Sequence, residues 1–173
     1  MNEQELEKKL IAAYDKMMGR IEQLLDTAEQ QALPVLQKNI EKAKQQAIEL
    51  KEISQEEAEK LGDYLRRDLH DAAEHLEHTG QELSTWLNFD LKLIEERILE
   101  VFTKVADKTR VELAQLAEQA KRATEYHTGE ITSIGTLTCH SCGTVMNFKK
   151  TSRIPPCPKC HKTVFTRAKR KNS

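Results

Sequence analysis

The sequence contains no stretch of about 18 apolar residues, so no membrane-spanning helix is expected. Its first residues, Met1-Asn-Glu-Gln-Glu5, are charged and carry no apolar segment of the kind that directs secretion, so a cytoplasmic, reducing setting is expected. Aromatic residues make up only 5% of the chain, too few for a bulky globular core, whereas 38% hydrophobic and 32% charged residues suit long amphipathic helices. There is no glycine-rich phosphate loop. No cysteine lies outside two close pairs, and neither pair sits in the strand-helix-strand setting of a dithiol redox centre. These absences point away from catalysis.

One sign of charge is nearly missing from the C-terminal part. Residues 127–173 hold nine Lys and Arg but one acid, Glu130, for a charge of +8; residues 1–126 hold 18 basic and 27 acidic residues, for −9. The two parts are expected to be structurally distinct: a helical domain over 1–126, a small β module over 127–167 and a basic tail over 168–173.

What is present in the first part is helical periodicity. Leu6, Leu10, Ala13, Met17, Ile21, Leu24 and Ala28 recur at threes and fours, and the pattern resumes with Leu36, Ile40, Ala43, Ala47 and Leu50. Pro34 predicts a kink or short break between them. Ser54-Gln-Glu-Glu57 is a capping box that opens a second helix, with a stripe of Leu61, Leu65, Leu69, Ala72, Leu76, Leu83 and Trp86. Gly80 lies within that stripe, either tolerated in a continuous helix or following a recap at Thr79. Turns are expected near 52 and 88, the latter at Asn88-Phe-Asp90. A third helix then follows through Leu91, Ile94, Ile98, Val101, Val105, Leu113, Leu116 and Ala120. No helix can bury such a stripe alone. The expectation is a mainly α fold: a long antiparallel helical hairpin or three-helix coiled-coil bundle, with homo-oligomerisation through the same stripes as the alternative.

The chemistry is concentrated near the C-terminus. Cys139-His-Ser-Cys142 and Cys157-Pro-Lys-Cys160 are separated by fourteen residues, one short of the usual window for a four-cysteine zinc site. Two thiolates two residues apart grip one tetrahedral ion from a tight turn, and two such turns complete its coordination. Cys139, Cys142, Cys157 and Cys160 are therefore the candidate zinc ligands, and four protein ligands make the ion structural. Iron fits the same all-sulfur donor set. Cys157-Pro-Lys-Cys160-His161 also matches a haem-attachment pattern, but that reading leaves the other pair without a role. His140 and His161 flank the ligands without being needed as ligands. Gly143 follows the first pair, where the turn requires positive φ. Three strands are expected around the two turns, at 131–138, 144–148 and 162–166, completing a zinc ribbon. Because the helices have stripes of their own, metal removal is expected to unfold the ribbon and leave the helices largely intact.

His70, His75 and His78, with Asp71, Glu74 and Glu77, read as a solvated polar face of the second helix, since the order needed for a di-iron bundle is missing. The basic residues Lys149, Lys150, Arg153, Lys159, Lys162, Arg167, Lys169, Arg170 and Lys171 suit either an acidic surface or nucleic acid. An unidentified protein partner is the first expectation. Nucleic acid, bound through basic residues 149–171, is the second.

Several segments together resemble the YbeL-like family of bacterial zinc-ribbon proteins: Glu125-Tyr-His-Thr-Gly-Glu130, Leu137-Thr-Cys-His-Ser-Cys-Gly143, Ile154-Pro-Pro-Cys-Pro-Lys-Cys160, Phe165-Thr-Arg167 and Ala106-Asp-Lys-Thr-Arg-Val-Glu-Leu113. That resemblance implies a zinc ribbon and a bacterial origin, and it brings no catalytic residue. A helical hairpin beside a four-cysteine module also resembles the DksA-like regulators of RNA polymerase. Asp68-Leu-His-Asp71-Ala-Ala73 matches their Asp-x-x-Asp-x-Ala motif, which in those proteins sits at a hairpin tip and here falls within a helix.

Overall fold

The computed structural model describes residues 2–27, 35–79, 96–116 and 125–167. Among them are four helices followed by a strand region: α1 (Glu3–Thr27), α2 (Val35–Glu49), α3 (Gln55–Thr79) and α4 (Glu96–Leu116). The chain is thus mixed helix and sheet. The expected three helices become four because α1 and α2 are not one kinked rod. They pack against each other, since the Tyr14, Met17 and Ile21 stripe and the Leu36, Ile40 and Ala43 stripe escape water by sharing one core. The expected kink near Pro34, Gly80 and the turn at 88–90 lie outside the described residues.

Local signals account for the helix ends. Asn2 and Glu5 cap α1 reciprocally at 3.2 and 2.8 Å. Ser54 and Glu57 do the same for α3 at 2.8 and 3.2 Å. Between α2 and α3, Lys51 takes φ 57° while Glu52 N–H donates to the Ala47 carbonyl and Lys51 N–H to that of Ile48, the left-handed termination usually given to glycine. The chain then doubles back. Lys44 on α2 pairs with Glu59 on α3 at 2.7 Å, and its stem crosses Gly62, where a Cβ would meet the Lys44 Cδ at 2.9 Å. α4 closes the core with Phe102 and Val105, held by Arg97 and Lys104 on the buried Glu22.

The strand region has six strands where three were expected: β1 (Glu125–His127), β2 (Ile131–Thr132), β3 (Gly135–Cys139), β4 (Val145–Phe148), β5 (Ser152–Arg153) and β6 (Val164–Arg167). One sheet has the order β1-β6-β3-β4, all neighbours antiparallel; β2 and β5 form a second. β1 carries Glu125 and Tyr126 into the sheet, ahead of the boundary expected at 127. Tyr126 joins Leu137, Phe148, Ile154 and Phe165 in the ribbon core. Ile131 and Ile134 belong to the helical core instead.

The two parts meet through a buried polar network centred on α3. Asp68, fully buried, accepts hydrogen bonds from Tyr14 Oη of α1 at 2.5 Å, Thr132 Oγ1 at 3.0 Å, Ser133 N–H at 2.9 Å and Arg167 Nη2 at 3.2 Å. Tyr126 donates to Asp71 and accepts from Arg167 at 3.0 Å. Arg67 reaches Glu130 at 2.8 Å and the Ile131 carbonyl at 3.1 Å, with its guanidinium 3.8 Å from the Tyr126 ring centroid. Neither Asp68 nor Asp71 lies at a hairpin tip, and His70 and Asp71 are not solvated as expected, their side chains being 11% and 9% exposed; the side chains of Glu74, His75, Glu77 and His78 lie outside what the structure describes.

Burial, then the charge of Asp68, then the hydrogen bond to it keep the Tyr14 phenol protonated well above the ordinary tyrosine value of 10.0. A proton held more tightly in the folded chain stabilises it below that value, and this stabilisation is lost as pH rises beyond it. Tyr14→Phe is expected to cost about 1.5–3 kcal/mol at neutral pH, through one lost hydrogen bond to a carboxylate. It is also expected to flatten part of the decline in stability above pH 10.0; Tyr126 and Tyr64, raised in the same direction, still contribute to it. Urea denaturation at several pH values measures both effects.

Candidate metal centre

Two equivalent turns build the site. In the first, Cys139 N–H donates to the Thr144 carbonyl at 2.8 Å and Gly143 N–H to the Cys139 carbonyl at 3.0 Å. In the second, Cys157 N–H donates to the Lys162 carbonyl at 3.0 Å and His161 N–H to the Cys157 carbonyl at 2.9 Å. Each turn needs a left-handed residue just after its second cysteine. Gly143 supplies φ 77° as the sequence suggests, while His161 does so at φ 63°. His161 and His140 are both exposed and lie outside the four-cysteine group. Sequence reasoning missed the left-handed backbone of His161; the available signal was its position, equivalent to that of Gly143 in the repeated turn.

The turns bring all four sequence-predicted residues together. The Sγ atoms of Cys139, Cys142, Cys157 and Cys160 lie within 4.8 Å of one another, with Cys139 to Cys160 at 3.5 Å and Cys142 to Cys157 at 3.6 Å. Disulfides would need about 2.05 Å. A tetrahedron with metal–sulfur bonds of about 2.3 Å has edges of about 3.8 Å, so the donor set fits one tetrahedral ion. Cys139 and Cys157 are buried, and Cys142 and Cys160 half-buried.

Proton affinities follow from these contacts. The Thr144 hydroxyl, 3.0 Å from Cys142 Sγ, holds that thiol below its ordinary range. The Cys160 backbone N–H brings Cys157 down to about 6. The Lys162 backbone N–H also lowers Cys160, but burial and the three neighbouring sulfurs outweigh it and push that thiol up to about 12. Four sulfurs so close cannot all ionise without a cation among them. The cluster is chemically suited to exchanging its remaining protons for a metal.

Of the other basic candidates, Arg167 is buried on Asp68, and Arg153 Nη1 pairs with Glu3 at 2.7 Å. Lys149, Lys150, Lys159 and Lys162 are exposed; Lys169, Arg170 and Lys171 lie outside the described residues. Sequence reasoning missed Arg67, Asp68 and Arg167 as an inward-facing group. The available signal was the position of Asp68 beside Leu61, Leu65 and Leu69 on the apolar stripe.

His161→Gly should relieve the left-handed strain and strengthen the metal-loaded ribbon by about 1 kcal/mol, with His161→Val shifting it the other way. Competition with a chromogenic chelator measures both; a weaker His161→Gly ribbon would contradict the assignment. Cys157→Ser should abolish stoichiometric metal by elemental analysis.

The fold and cluster agree with the comparisons to known proteins. The sequence pattern described as a zinc-ribbon containing domain matches residues 23–169, from within α1 to just past β6. The uncharacterized protein YbeL of Escherichia coli (strain K12) is 27% identical over 109 residues, covering 63% of this chain and 67% of YbeL. YbeL from the O6:H1 and O157:H7 strains matches to the same extent. No solved structure matches the chain. With the match spanning helices and ribbon alike, the chain belongs to the zinc-ribbon containing domain family.

Proposed function

We propose that the chain is a non-enzymatic zinc protein of the cytoplasm, in which Cys139, Cys142, Cys157 and Cys160 hold one structural zinc ion and the ribbon, carried on the helical scaffold, binds a protein partner. Four sulfur ligands leave no coordination position for substrate or water. The observation that carries the interaction reading is a cleft of about 650 Å³ lined by Asn147, Phe148, Lys149, Lys150, Ser152, Arg153 and Pro155. Its lining includes no acid and three cations, of which Lys149 and Lys150 are exposed and Arg153 pairs with Glu3. It also continues from the outer edge of β4, which is the last strand of its sheet and pairs only with β3 among the described residues.

An open strand edge accepts an extended peptide through backbone hydrogen bonds, and the cations select for acidic side chains beside it. A polypeptide segment rich in Asp and Glu fits both features.

The second reading is a nucleic-acid or transcription-complex regulator, supported by exposed Lys149, Lys150, Lys159 and Lys162. It is the weaker of the two. Phe148 and Phe165 are buried in the ribbon core, so they offer bases no stacking platform, and Arg153 and Arg167 are engaged by helical carboxylates.

Fluorescence anisotropy of the full zinc-loaded chain, with a labelled Asp/Glu-rich peptide and with labelled single-stranded and duplex DNA, separates the readings. The expected result is peptide binding that weakens about tenfold or more in Lys149→Glu/Lys150→Glu, where like charges replace complementary ones. Preferential DNA binding, with a salt slope of about 0.9 per phosphate contact on duplex, would favour the regulator. If the chain binds neither, the cleft is not a docking surface.

A further inference from the structure

We infer that metal occupancy in the ribbon controls the packing of the helices, and that Arg167 is the residue that transmits it. The inference rests on the four cysteines holding a metal. Its starting point is the register of β3 against β6: the ligand Cys139 lies opposite Phe165, Thr138 opposite Thr166, and Leu137 opposite Arg167. One strand therefore begins shortly after the second metal turn and ends with its last side chain inside the helical part. His140 N–H donates to the Val164 carbonyl at 3.0 Å, fastening the first turn to the same strand. The metal joins the two turns, the turns align β3 with β6, and that alignment places Arg167.

At its far end, Arg167 is buried. It lies 3.2 Å from Asp68 and 3.6 Å from Asp71, and its guanidinium is 4.8 Å from the Tyr126 ring centroid. Both carboxylates belong to α3. The ribbon also supplies Thr132 and Ser133 to Asp68, and Glu130 and the Ile131 carbonyl to Arg67. The ribbon's own core is small, and such modules take much of their folding free energy from the metal. When the metal leaves, the alignment of β6 is lost. Asp71 then keeps its burial without the arginine facing it, and Asp68 keeps Arg67 of its own helix at 3.5 Å but loses Arg167, Thr132 and Ser133, an arrangement that packed helices do not tolerate. α3 and the Tyr14 segment of α1 must open to hydrate them. This differs from the outcome expected from the sequence, in which the helices stand without the metal.

Hydrogen–deuterium exchange of the full chain tests the inference, comparing metal-loaded protein with protein stripped by EDTA and following metal content by elemental analysis. On stripping, amides around Asp63–Asp71 and Leu10–Met18 are expected to exchange faster by about a hundredfold, together with the ribbon. In Arg167→Met the same helical amides are expected to speed up while the metal stays bound, because the link is cut beyond the metal site. If Arg167→Met fails to fold, Asp68→Asn/Arg167→Met replaces it. With both charges gone, stripping should accelerate the α3 amides at least about tenfold less than in the unmodified chain.

Unchanged helical exchange in the stripped chain overturns the coupling and leaves the metal site standing. Unchanged helical exchange in metal-loaded Arg167→Met overturns the role of Arg167. A chain purified without metal overturns the coupling and the site together.

Discussion

A carboxylate with no exposed surface has to find its hydrogen bonds inside the protein, and Asp68 draws them from three separate parts of the chain: Tyr14 in α1, Thr132 and Ser133 at β2, and Arg167 at the end of β6. An unpaired buried charge would cost several kcal/mol, so the requirement is demanding. It fixes which face of α3 turns towards the ribbon and where α1 must lie. It also fixes how far β6 must run. The apolar clusters on either side tolerate small shifts, because burial is nondirectional, whereas the hydrogen bonds around Asp68 define a single arrangement.

Much of the architecture could be read in advance because it depends on local rules. The Ser54 to Glu57 cap, the apolar stripes, the two cysteine turns and positive φ at Gly143 each depend on residues within a few positions of one another. What was not legible depends on contacts over long sequence distances. Arg167 resembles any other member of a basic tail until Asp68, ninety-nine positions earlier, is placed beside it. Tyr126 fell outside the module on composition alone, yet it fills the ribbon core and touches both buried arginines. The first fifty residues read as one interrupted helix because periodicity reports which face is apolar and is silent on whether two such faces meet each other.

The opposite charges of the two parts also take on a more specific meaning. Arg153 and Arg167 of the ribbon meet Glu3, Asp68 and Asp71 of the helices, so part of the asymmetry is consumed within the molecule. Lys149, Lys150, Lys159 and Lys162 of the ribbon remain exposed, the first two at the cleft beside β4.

The recognisable family segment starts at residue 23, but the physical unit starts earlier. Before that point α1 contributes Tyr14 to Asp68, Asp15 to Thr151 at 2.5 Å, Lys9 to Glu57 at 3.0 Å and Glu3 to Arg153, along with the buried Met17 and Ile21. A fragment cut where sequence similarity begins would keep every cysteine and still lose one wall of the helical core. For this chain, the smallest piece that can be expressed as a stable body is set by burial, and it is longer than the piece that similarity alone would outline.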